Sequence, residues 1–227
     1  MGNIAIDPAQ ELLNKRLTRH SRGVAVHSHW AARTLLENGD TAPILVMPHG
    51  AQVDPQFDQS ARNEIREFAQ QKGEFLIAAT GYFDMHWRLG SLLHAVAKLK
   101  KEGLRPVLML LGEPSAEASH LIENLTAQLQ ITDLVLPMGY VRPYDAFLGH
   151  LAAADVVVDL RGKQSGSTSG AAMAAMALGK PAIVGDLPQN LELPHRRLKI
   201  YHNRRHASMA KALTGDPSRP LNLRGAA

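Results

Sequence analysis

Glycines and hydroxyl residues recur in this chain at the points where apolar runs end. The segments Gly81–Arg88, Gly112–Ser115, Gly139–Arg142, Arg161–Gly170 and Gly185–Leu187 each follow a short apolar stretch, and four of the five begin with glycine. A glycine there lets the backbone approach a ligand closely, although single glycines end strands in many proteins. The richest segment is QSGSTSGAAMAAMALGKP, from Gln164 to Pro181. Ser167 or Thr168 can cap a helix at this point. The free N–H groups of its first turn, with the positive end of the helix dipole, suit a phosphate. Gly166, Ser169 and Gly170 complete such a cradle. Ala171, Ala172, Ala174, Ala175 and Ala177 carry so little bulk that the same helix can also lie very close to its neighbours. Two other chemistries are excluded. Gly179-Lys180 closes the helix and precedes Pro181, which is not the arrangement of a P-loop. The centre of Gly166–Gly170 is Thr168, where a nucleophile elbow needs serine.

The elements around these segments alternate. Apolar, β-rich runs predict strands over 23–28, 43–48, 75–80, 106–111, 134–138, 155–160, 181–184 and 198–201. Helical spacing of apolar residues predicts helices over 30–36, 61–71, 89–101, 116–129, 143–153 and 168–178, with Pro143 suited to a first turn. Between them, residues 50–60 are polar and proline-bearing, as in a linker. Strands alternating with helices of this length give a parallel sheet covered on both faces, and the right-handed crossover makes it doubly wound. In such an α/β sheet, ligands sit at the carboxyl ends of the strands. All five glycine and hydroxyl segments fall there. Arg161, directly after a strand, either faces an anion or forms a surface salt bridge.

Composition narrows the partners. The 227 residues are 45% hydrophobic and 20% charged, with a formal net charge of +4. Aromatic residues make up only 5%, so stacking platforms are scarce and nucleic acid is not an expected partner. With no cysteine, thiolate chemistry and disulfides are excluded. His27 and His29 have strand-like spacing, but no neighbouring carboxylate or cysteine completes a metal site. No apolar run reaches the ~18 residues of a membrane span, and the first residues show no secretory pattern. A cytoplasmic location is the expectation.

The stretch from Asp155 to Pro194, DVVVDLR…GSTSGAAMAAMALGKPAIVGD…ELP, resembles the second half of the nucleotide-sugar domain of GT-B glycosyltransferases, retaining family-4 type. ATGYFDMHWRLGSLLHA, from Ala79 to Ala95, is similar to that family's first strand, loop and helix. VAVHS…ILVMPHG, from Val24 to Gly50, resembles the last strand of its N-terminal domain and the crossover. The resemblance implies three parts: a remnant of the N-terminal domain over 1–50, a linker and helix over 51–72, and a Rossmann-like nucleotide-sugar domain over 73–227. It implies a nucleoside-diphosphate sugar as donor substrate, without a cofactor, in polysaccharide or glycoconjugate assembly. Gly81, Tyr82, Arg88, Gly112, Tyr140 and Arg161 then join the cradle residues as candidate donor contacts. Tyr140 stands in the loop where the family's base ring rests, although an exposed loop tyrosine is equally ordinary. The departures are specific. Tyr82 replaces an expected arginine, and Trp87 replaces an expected lysine, with Arg88 beside it as a substitute or as a solvated residue. The family's two glutamates fall on Gly166 or Ser167 and on Ala174, and no carboxylate lies between Asp159 and Asp186. The acceptor half and its catalytic histidine are also missing. An acceptor-domain polypeptide or a homodimer is therefore an expected partner; the alternative is a degenerate module that serves in binding or assembly.

Overall fold

The computed structural model describes residues 15–52, 54–73, 75–162, 168–193, 198–201 and 213. These form two compact units, one comprising 15–50, Thr168 and Leu187–Leu193, the other comprising the remainder.

In the first unit, strand β1 (Val24–Val26) precedes helix α1 (His29–Glu37) and strand β2 (Ile44–Val46). The two strands pair in parallel, Val24 opposite Ile44 and Val26 opposite Val46. The apolar run expected over 43–48 thus finds its partner within the chain. Helix α1 begins after Ser28, whose side chain accepts from the Ala31 N–H at 3.1 Å. The Glu192 carboxylate accepts from the His29 and Trp30 N–H groups, each at 2.7 Å. Three donors that a helix start leaves without intrahelical partners are satisfied in this way. A carboxylate at the positive end of the helix is also electrostatically favoured.

The second unit is built on six parallel strands: β3 (Phe75–Thr80), β4 (Pro106–Leu111), β5 (Val135–Gly139), β6 (Val156–Asp159), β7 (Ala182–Gly185) and β8 (Leu198–Tyr201). Their order across the sheet is β5-β4-β3-β6-β7-β8. The helices are α2 (Gln59–Lys72), α3 (Leu89–Lys101), α4 (Ala116–Gln128), α5 (Tyr144–Ala153) and α6 (Gly170–Ala177). The central strands are continuous apolar runs because both faces are covered. Leu76 to Ala79 of β3 and Val107 to Met109 of β4 are completely buried. Helix α3 presents Leu89, Leu92, Leu93, Val96 and Leu99, three or four residues apart, to the same core. Each such side chain contributes ~1.5–3 kcal/mol by leaving water. The strand order reverses between β3 and β6, which puts the ligand crevice of this fold class at their carboxyl ends.

Two helices start later than the sequence expectation. Helix α6 begins at Gly170, and its cap is Ser169, not Thr168 or Ser167; the Ser169 hydroxyl accepts from the Ala172 N–H at 3.1 Å. Three consecutive hydroxyl residues offer similar caps, and the one adjoining the first helical residue reaches that amide. Pro143 likewise precedes the first turn of α5 instead of lying inside it. Within α6, Ala172 and Ala175 are fully covered. Replacing either with leucine should cost ~1–3 kcal/mol by overpacking. A denaturant melt checks this, and tolerance of both substitutions would contradict close packing of α6.

Candidate functional site

The carboxyl ends of β3, β4 and β5 are joined through backbone. The Gly81 N–H donates to the Leu111 carbonyl at 3.1 Å, and the Gly112 N–H to the Gly139 carbonyl at 2.8 Å. Gly112 has φ +142°, and a Cβ there would stand 1.8 Å from the Gly81 carbonyl oxygen. Only glycine fits. The same stitching continues into the loop after β3. Phe83 N–H donates to Glu113 O at 3.0 Å, and Ser115 N–H to Phe83 O at 2.8 Å. On the other side, Arg88 N–H donates to Leu160 O at 3.1 Å, and Gly162 N–H to His86 O at 2.8 Å. The Asp84 carboxylate closes the turn between them by accepting from the His86 and Trp87 N–H groups. The loop is thereby fixed to both neighbouring strand ends.

A cleft of ≈ 790 Å³ opens beside it, lined by Thr80, Gly81, Tyr82, Leu111, Gly112, Glu113, Tyr140, Val141, Arg142, Pro143, Tyr144, Phe147 and Ala171. Three of the chain's four tyrosines are in this lining, and all three are exposed: Tyr82 by 64%, Tyr140 by 68% and Tyr144 by 61%. Tyr144 stacks on Phe147 with centroids 5.8 Å apart. The Arg142 guanidinium lies 4.9 Å from the Tyr140 ring centroid, a cation–π contact that holds the ring and engages the charge. Ala171, in the first turn of α6, brings that helix start to the cleft. Among the described lining residues only Glu113 and Arg142 are charged. The arrangement offers flat aromatic faces, a helix N-terminus and little fixed charge, which suits a planar ring carrying an anionic group.

The residues expected from the sequence are distributed unequally. Gly81, Tyr82, Gly112 and Tyr140 line the cleft. Ser169 caps α6 and Gly170 opens it, while Thr168 belongs to the first unit. Gly166 and Ser167 lie outside the described residues. Arg88 and Arg161 are not in the lining. Arg161 Nε donates to the buried Asp159 carboxylate at 3.2 Å, so it forms the ion pair that was one of its two readings. Arg88 is half-buried, and its Nε has no hydrogen-bond partner. Trp87, at the expected lysine position, is 3% exposed and meets Phe83 edge-on at 5.1 Å. It is a core residue. Glu113, Arg142, Tyr144 and Phe147 were missed in the sequence. Tyr144 and Phe147 are three apart at a helix start just after the glycine-led loop 139–142, which was the available signal.

No protein-family model matches the sequence, and no curated protein matches it either. Solved structures do. HepE of Anabaena, in complex with UDP-glucose, superposes with a TM-score of 0.79 at 14% identity, over 92% of this chain and 57% of that one. Sucrose-phosphate synthase of Thermosynechococcus elongatus gives 0.71 at 18% identity, over 94% and 53%. The pneumococcal O-GlcNAc transferase GtfA, in complex with UDP and GlcNAc, gives 0.65 at 16% identity, over 88% and 38%. The chain thus has the fold of GT-B glycosyltransferases with their Rossmann-like domain, and it spans little more than half the length of the first two.

The glycine contact that shapes the cleft has a measurable cost. Gly112→Ala should destabilise by roughly 3 kcal/mol or more, since backbone must move. Gly103→Ala, at φ +87° with open space around it, should cost only ~1–2 kcal/mol. Equal melting shifts for the two variants would show that the Gly81–Gly112 contact is not tight.

Proposed function

We propose that this chain is the donor-binding part of a glycosyltransferase of polysaccharide or glycoconjugate assembly. The donor is a nucleoside-diphosphate sugar, taken as substrate with no further cofactor. Its base lies against the tyrosines of the cleft, and its diphosphate meets the first turn of α6. One observation carries this reading: three of four tyrosines gather, exposed, in one cleft at the carboxyl ends of β3, β4 and β5, beside a helix N-terminus. UDP and UDP-glucose in structures of the same fold support it. The acceptor site is supplied by another polypeptide or further domain, or by a second copy.

A second reading, a module that binds without transferring, is favoured by the burial of Trp87 and the ion pairing of Arg161. Neither side chain is free to hold a diphosphate. The carboxylates that the resemblance assigns to the donor sugar and ribose are likewise lacking between Asp159 and Asp186. Both readings share the cleft and part at turnover.

Calorimetry with uridine, guanosine and thymidine diphosphates tests the shared premise. Base stacking contributes ~1–3 kcal/mol, and the helix end ~0.3–1 kcal/mol. With the basic pair altered, affinity around the millimolar level, or ~4 kcal/mol, is expected. Tyr140→Ala should take binding of every diphosphate beyond detection. Ser169→Asp keeps a capping side chain but places a negative charge at the helix start, and should abolish diphosphate binding while sparing the free nucleoside. Absence of binding by all three diphosphates to the folded protein would remove the donor site. Hydrolysis or transfer from a bound donor, once an acceptor partner is added, separates enzyme from binding module.

A further inference from the structure

We propose that the opposite edge of the same sheet carries a second site, in which Arg62, Arg66 and Lys180 bind a phosphate-class dianion. Three neighbouring strands start at this edge. Asp155 precedes β6, and its backbone N–H donates to the Leu76 carbonyl of β3 at 2.8 Å. Its Oδ2 accepts from the Leu76 N–H at 2.7 Å and from Arg66 Nη1 at 2.6 Å. Arg66 Nη1 also donates to the Ala153 carbonyl at 3.2 Å. Lys180 precedes β7, where Val157 pairs with Ala182 and the Val157 N–H donates to the Pro181 carbonyl at 2.9 Å. Two residues before each member of that pair stand Asp155 and Lys180, level with one another on adjacent strands. Arg62 lies one turn from Arg66 on α2, so the two share a face.

The cluster therefore holds three cations and one carboxylate. Fastening α2 to β3 and β6 accounts for Asp155 and Arg66. It does not account for Arg62 or Lys180. Arg62 donates only to its neighbour Asn63 among the described side chains, and Lys180 forms no ion pair with a described residue. Burial holds the Lys180 ammonium below the usual lysine range; Asp155 opposes the shift, and Arg62 and Arg66 add to it. A half-buried ammonium in the field of two guanidinium groups, with one carboxylate already paired to Arg66, is a local excess of positive charge that a dianion would relieve. Arginine forks suit phosphate oxygens, and the lysine adds a point charge. The oxygens could belong to a free phosphate or to a phosphorylated lipid headgroup.

Thermal melts of the full chain at constant ionic strength, with inorganic phosphate or pyrophosphate replacing chloride, test this site. A saturable rise in Tm is expected from mass action. Arg62→Gln and Lys180→Met should each lose the saturable part, and Tyr140→Ala, in the cleft, should keep it. Lys180→Met should also melt higher than the parent in chloride, since it removes the disfavoured charge. Flotation with vesicles containing phosphatidic acid, against neutral vesicles, is the second arm. Saturation by free phosphate assigns a soluble anion, and binding to acidic vesicles alone, lost in Arg62→Gln, assigns a headgroup. An unsaturating rise shared by all variants, with no vesicle binding, would overturn the proposal.

Discussion

The carbonyl oxygen of Gly81 occupies the space that a side chain at Gly112 would need. That contact sets how closely β3 and β4 finish, and the hydrogen bond from Gly112 to Gly139 brings β5 into the same arrangement. Past this point the three strands diverge into loops, and the cleft is the space between them. The loop after β3 is then held by β4 on one side and by residues 160–162 on the other. Its position is a consequence of strand pairing carried one step beyond the strands. Backbone fixes the walls, and the side chains that line them set the chemistry of the cleft.

The largest of those side chains are the rings of Tyr82, Tyr140, Tyr144 and Phe147. Trp87 has joined the core against Phe83, Arg161 is engaged by Asp159, and Arg142 is laid over Tyr140. Both arginines are engaged by protein contacts, and the N-terminus of α6 adjoins the cleft. Under the proposed donor-binding reading, such a site discriminates chiefly by ring shape and stacking.

The alternation of strands and helices was legible because buried parallel strands are uninterrupted apolar runs and the helices keep their apolar spacing. The segments at the carboxyl ends of the strands were legible for the same reason. What the glycines do was not: the clash at Gly112 depends on the register between β3 and β4, which no single stretch of sequence contains. The cap of α6 was blurred by three hydroxyl residues in succession. Tyr144 and Phe147 escaped notice because an aromatic pair at helical spacing reads as core. Arg161 had two readings that only the position of Asp159 could separate. Glu192 capping α1 across 163 residues of sequence had no local signature at all.

The central claim, that the tyrosine cleft is the place where a nucleotide binds, is tested most directly by mapping backbone amide shifts of the isotope-labelled chain during titration with UDP. Shifts concentrated at Tyr82, Glu113, residues 140–147 and Gly170–Ala171 are the expected result. Shifts confined to residues elsewhere, or none at saturating concentration in a folded protein, would contradict it.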